Sequence, residues 1–107
     1  MTRGPLPGQG EARENSFTRE LGLTHSEFYR SLPPAIAHHA FSVDENRILI
    51  DYGDRKVILE LGPQQVRSIA SLRLPYVEVR FTFEGFPVTQ RQEFMARFER
   101  YFRRGGG

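Results

Sequence analysis

The stretch from Arg47 to Leu61 constrains this chain more than any other. Two apolar runs, Arg47-Ile48-Leu49-Ile50-Asp51-Tyr52 and Arg55-Lys56-Val57-Ile58-Leu59-Glu60-Leu61, flank the dipeptide Gly53-Asp54. A two-residue connection with glycine first matches the twist of an antiparallel hairpin, so the turn sets the register. Tyr52 then faces Arg55, Ile50 faces Val57 and Ile48 faces Leu59 on one side of the sheet. On the other side Asp51 faces Lys56, Leu49 faces Ile58 and Arg47 faces Glu60. Two opposite-charge pairs are therefore expected on the outward face, each contributing about 0.2–1 kcal/mol. A slip of one residue would destroy both and turn the apolar set toward water.

The flanking segments add elements of both kinds. Phe17, Arg19, Leu21 and Leu23 alternate, which predicts a short strand from Ser16 to about Leu21. Thr24 and Glu27 form a capping box, with Leu23 and Phe28 placed as a hydrophobic staple around it. The helix they open is expected to end by Leu32, because Pro33 and Pro34 disfavour helical geometry before them. Pro34 can open a second short helix through Ala37. Phe41 and Val43 lead into a turn at Asp44-Glu45-Asn46, and Gly62-Pro63 marks another. Val66 to Leu74 fits neither period, so helix, strand and bulged strand all remain open, with Pro75 as its end. Tyr76 to Glu84 is a half-buried strand with Val77, Val79, Phe81 and Phe83 on one face.

Thr89-Gln90-Arg91-Gln92 reads as a second capping box, opening a helix to about Arg103. Phe94, Met95, Phe98, Tyr101 and Phe102 form one stripe of that helix, to be laid on the apolar face of the sheet. The element order predicts an α+β fold. It is a two-layer sandwich in which an antiparallel meander of about four to five strands packs against a long C-terminal helix and one or two short N-terminal helices. The same order is similar to a reduced helix-grip arrangement, in which a curved sheet wraps a C-terminal helix around a ligand cavity.

Length and composition bound the rest. With 107 residues there is room for one domain. Met1 to Ser16 holds Gly4, Pro5, Pro7, Gly8 and Gly10 and few large apolar side chains, so it is read as a disordered leader. The domain is expected over Phe17 to Arg104, with Gly105 to Gly107 as a flexible tail. The absence of cysteine removes disulfides, thiolate catalysis and thiolate metal sites together. No apolar run approaches the roughly 18 residues of a membrane span, which makes a soluble, cytoplasmic protein with no membrane partner the expectation. The net charge of +2 is carried on the basic side almost wholly by arginine, since Lys56 is the single lysine.

Each candidate site has a plainer role beside it. His38 and His39 beside Asp44 or Glu45 do not make a metal site, because neighbouring residues point apart on either a helix or a strand. Asp51 and Glu60 are assigned to ion pairs, which hold a carboxylate charged rather than poised as a general acid. The serines lack a nucleophile-elbow setting, and the glycines lack phosphate-cradling spacing. No catalytic, cofactor or metal residue is therefore assigned, and the reading leans away from an enzyme. Phe81, Phe83, Phe94 and Phe98 are the residues that would line a cavity for an apolar ligand between sheet and last helix. Arg97, Arg100, Arg103 and Arg104 are the residues that would meet an anionic partner. They also complement the negative end of their helix and can pair with Glu93 or Glu99. The outward sheet face sets Arg47, Lys56 and Arg80 against Asp51, Glu60, Glu78 and Glu84, a balance that phosphate does not favour.

Thr24-His25-Ser26-Glu27-Phe28-Tyr29-Arg30-Ser31-Leu32-Pro33 and Phe94-Met95-Ala96-Arg97-Phe98-Glu99-Arg100-Tyr101-Phe102 resemble a small family of bacterial proteins of unassigned function. That resemblance implies no activity, ligand or site residue. The sequence thus supports a non-enzymatic binding or assembly module for a protein partner or a small apolar ligand. Weak nucleic-acid binding through the last helix is the alternative, and an enzyme of unidentified type is third.

Overall fold

A computed structural model describes residues 15–106, with side chains to residue 102. The leader up to residue 14, Gly107 and the side chains of Arg103 and Arg104 lie outside the described residues. The hairpin that dominates the sequence is present as β3 (Arg47–Asp51) and β4 (Lys56–Leu61). Its register pairs Ile50 with Val57, Ile48 with Leu59, Leu49 with Ile58, Asp51 with Lys56 and Arg47 with Glu60. Gly53 takes a positive φ of 92°, and the Tyr52 amide donates to the Arg55 carbonyl at 2.9 Å to close the turn.

The expected charge pairs stand opposite each other yet make no ion pair. Asp51 accepts from the Gly53 amide at 2.8 Å, and the Lys56 ammonium reaches only the Gly53 carbonyl, at 3.4 Å. The turn's own backbone groups, being local, win the side chains.

Four more strands complete the sheet: β1 (Ser16–Leu21), β2 (Phe41–Asp44), β5 (Gln65–Ile69) and β6 (Leu72–Glu84). The order is β1-β6-β4-β3-β2, all antiparallel, with β5 pairing β6. Among the described residues six strands replace the four to five expected, because the ambiguous stretch from Val66 to Leu74 folds into a hairpin of its own. Pro75 does not end it. It sits inside β6 opposite Val66, beyond the end of β1, so its missing amide falls at an unpaired flank.

One helix, α1 (His25–Ala35), stands where one or two short ones were expected. Thr24 caps it, and both halves of the capping box are made: the Glu27 amide donates to Thr24 Oγ1 at 3.1 Å, and the Thr24 amide donates to Glu27 Oε1 at 2.9 Å. Pro33 and Pro34 lie within the last turn rather than ending the helix at Leu32. An interior proline costs about 3 kcal/mol, so the pair costs about 6 kcal/mol. Leu32 and Ile36 are completely covered, and burial of two such side chains offsets this with about 3–6 kcal/mol. The His38 amide then donates to the Pro33 carbonyl at 2.8 Å and the Ala37 amide to the Pro34 carbonyl at 3.2 Å, the paired closure of a Schellman motif. Ala37 and His38 accept φ of 56° and 60° to make it.

The last helix, α2 (Val88–Gly106), begins one residue before the expected cap. The Pro87 carbonyl takes the Arg91 amide at 3.0 Å, so Thr89 lies within the first turn and its capping box is not made. Both helices cover one face of the sheet. Phe98 of α2 meets Phe81 of β6 edge-on at 5.0 Å and stacks on Phe102 at 4.2 Å, while Phe28 of α1 packs on Phe102 at 5.0 Å. The core is therefore a column of phenylalanine rings between Val77, Val79 and Leu59 on one side and Leu23 and Leu32 on the other. No described helix is long and apolar enough to cross a membrane.

Candidate functional site

Where the end of α1, the start of α2 and the turn end of β3–β4 converge, a cavity of about 360 Å³ opens to the surface. Its wall is built from local necessities. Closing α1 in a Schellman motif throws the chain outward through Ala37 and His38, which brings His39 onto the Tyr52 ring at 4.3 Å between centroids. At the opposite rim Gly85 has φ of 79°, and a side chain there would come 2.7 Å from the Asp54 carbonyl. Only glycine lets β6 turn against the β3–β4 hairpin so closely, and the turn delivers Phe86 edge-on to Tyr52 at 5.5 Å. Phe94 stands edge-on to Phe83 at 5.4 Å and closes the floor.

Two guanidinium groups face this aromatic cluster. Arg55 lies over the Phe86 ring at 5.0 Å and the Tyr52 ring at 5.4 Å, and it donates through Nη1 to Gln90. Arg97 donates through Nε and Nη2 to the Pro34 carbonyl at 3.2 and 2.9 Å, covering the open end of α1. Among the described residues Arg55 Nη2 and Arg97 Nη1 have no hydrogen-bond partner. Desolvation raises the Tyr52 phenol above its ordinary pKa, and the charges of Arg55 and Arg97 oppose that rise. With Glu93 as the one carboxylate on the wall, the two arginines leave the site cationic. An apolar, ring-lined pocket with a few convergent charged donors is the usual make-up of a small-molecule site, and its volume lies at the lower end of their range.

The anticipated cavity residues fall on two sides of this wall. Phe94 lines the opening. Phe81, Phe83 and Phe98 stand behind it in the core, almost fully covered, with Phe98 stacked on Phe94 at 5.9 Å. Of the anticipated anionic-partner residues, Arg97 is drawn toward α1 and the pocket, and Arg100 stays exposed on α2. The pairing with Glu93 or Glu99 is not made by either; Glu99 instead binds Arg19 of β1 at 3.1 Å. His25 is half-buried rather than free in solvent: its Nε2 meets the Gly62 carbonyl at 2.9 Å. Among the described residues no three metal-ligating side chains cluster.

Tyr52, Arg55, Phe86 and Gln90 are not site candidates in the sequence reading, and His39 enters it only as a rejected metal ligand. A signal existed for two of them, since the hairpin register sets Tyr52 opposite Arg55 at the turn. Comparison with known proteins returns no match to any family model, curated protein or solved structure, so the resemblance to a bacterial family finds no support there.

Proposed function

We propose that this chain is a non-enzymatic binding module whose ligand is a small amphipathic anion, a planar apolar body carrying a carboxylate. The observation that carries this reading is the convergence of three aromatic rings, Tyr52, Phe86 and Phe94, with two arginines on one open cavity. The rings offer stacking surface at low entropic cost, and the unused guanidinium donors suit carboxylate oxygens. Ala37 and His38 give further support, because left-handed backbone in residues other than glycine costs about 1–3 kcal/mol and tends to gather at ligand sites. Nucleic-acid binding through α2 has less to stand on, since the contact with the Pro34 carbonyl draws Arg97 away from Arg100 and toward α1 and the pocket.

Titration of isotope-labelled protein with naphthoate, and with the uncharged naphthalenemethanol as its counterpart, tests the proposal. The expected result is chemical-shift change centred on His39, Tyr52, Phe86 and Phe94, stronger for the acid. Arg55→Gln should weaken naphthoate binding by about tenfold to a hundredfold, the worth of one hydrogen bond to a charged group. Absence of any shift at millimolar naphthoate would sink it.

A further inference from the structure

A strand at a sheet edge offers unpaired backbone groups to any passing strand, and proteins blunt such edges with charged side chains, proline or a cover. The edges of this sheet are not blunted alike. β1 carries Arg19 and Glu20, which are tied in ion pairs to Glu99 and Arg67. On the arm formed by β5 and the first residues of β6, Arg67 stands on one strand and Arg73 and Pro75 on the other. β2 has neither a basic residue nor a proline; its four residues are Phe41-Ser42-Val43-Asp44. Phe41 and Val43 lie opposite Ile50 and Ile48, on the face of the sheet that carries the core. They are nevertheless 37% and 48% exposed, because the helix layer stops short of β2.

The backbone of β2 is as open as its side chains. The Tyr52 amide donates to the Arg55 carbonyl and the Leu61 amide to the Asn46 carbonyl, so Asn46, Ile48, Ile50 and Tyr52 are the residues that bond β4. Arg47 and Leu49, which alternate with them, bond Asp44 and Ser42 of β2. The amides and carbonyls of Phe41 and Val43 therefore point away from the sheet, and among the described residues no strand meets them. This open row cannot lengthen. The His39 amide is taken by the Ile36 carbonyl at 3.2 Å, and Glu45 leaves strand geometry with φ of 58°.

We infer that β2 is the edge on which a second copy of this chain adds its own β2, antiparallel, across a two-fold axis. One register uses every free group: Phe41 pairs with Val43 of the second copy and Val43 with Phe41 of the second copy, each pair exchanging both backbone bonds. Ser42 then faces its counterpart at the axis. The exposed apolar side chains of the two strands meet on one face, in the gap between the two helix layers. The ends match as well, since the acidic turn at Asp44-Glu45 comes beside the His38-His39 end of the other copy, where imidazole N–H groups suit carboxylates. A foreign peptide fits less well. With so few bonds to gain it would first have to be ordered, whereas the strand of a second copy is already fixed on β3. A contact of this kind is self-complementary and closes at two copies.

The chain has no cysteine, so Ser42→Cys supplies a unique thiol. Directly opposed residues of a non-hydrogen-bonded antiparallel pair stand about 4.5 Å apart at Cα, within the span of a disulfide. Mild oxidation of Ser42→Cys is expected to give a linked dimer, whereas Ser68→Cys, also exposed but on β5, stays largely monomeric. Sedimentation velocity of the parent chain should show a dimer whose share grows with concentration. Val43→Lys, at a half-exposed position, should weaken that association about tenfold, because the axis counts each cross-strand contact twice. Circular dichroism verifies that each variant keeps the native fold. A parent chain that is monomeric at millimolar concentration would overturn the inference. So would equal rates of disulfide formation in Ser42→Cys and Ser68→Cys, or a dimer that Val43→Lys leaves intact, either of which places the contact elsewhere.

Discussion

Two hairpins of this protein are built on the same plan and end in opposite circumstances. In β3–β4 the inner side chains Ile48, Ile50, Val57 and Leu59 are completely covered by the helix layer, and the turn uses Gly53 where the backbone needs positive φ. In β5–β6 the strands run past the end of that layer, the aliphatic side chains stay in water, and the turn asks positive φ, 56°, of Ala70. The first hairpin is held by burial. The second is held at its root, where Arg67 grips both carboxylate oxygens of Glu20 at 3.0 and 2.9 Å and Gly62 is fixed from two sides by Glu78 and His25. The difference shows that pairing in a ladder does not require a buried face, provided the base of the ladder is anchored.

Removing side chains gives the largest test of that contrast. Ile48→Ala should cost about 2–5 kcal/mol in chemical denaturation, while Ile69→Ala should change stability by no more than about 0.5 kcal/mol. Similar losses at both positions would mean that the arm's aliphatic groups are covered in the native protein. Exchanging the turns gives a smaller effect of opposite sign. Gly53→Ala should lower stability by about 1 kcal/mol, and Ala70→Gly should slow amide exchange in the arm by a comparable amount without moving the global unfolding midpoint. The finest probe is Tyr52 at the end of the first hairpin. Because burial holds its phenol above the ordinary value, the native protein keeps a proton that the unfolded chain has already lost as pH rises past that value. The stability contributed by the neutral phenol is complete below the ordinary tyrosine pKa and declines as pH climbs through the native one. Thermal melts from neutral to strongly alkaline pH should show that decline in the parent and a shallower one in Tyr52→Phe.

The same contrast explains what could be read in advance. Period-two patterning is a record of burial on one face, so it is strong in Arg47–Leu61 and in Val77–Phe83, where helices cover the sheet. It is absent from Val66–Leu74 because neither face of the arm is covered, and Ala70-Ser71 is not a turn that composition announces. Pro33, Pro34 and Pro75 misled because proline is a local stop: in α1 burial of Leu32 and Ile36 offsets the lost amide bonds, and in β6 an unpaired strand flank removes the need for one. Phe94 and Arg97, which line the proposed pocket, could be named in advance because they sit on a regular helix. His39 and Phe86 could not, since loops bring them to Tyr52 and only the packed fold sets that approach.

Ser16 of β1 shares a hydrogen bond with Thr82 of β6, 66 positions later in the chain, and among the described residues β6 is the only strand that β1 pairs with. During synthesis at about 5–20 residues per second, β1 therefore waits about 3–13 seconds for its neighbour. Through that interval Phe17 and Leu21 have no apolar surface of their own sheet edge to join. The apolar side chains of β1 are thus open to chaperones until β6 is made, and closure of this sheet edge follows synthesis of Glu84.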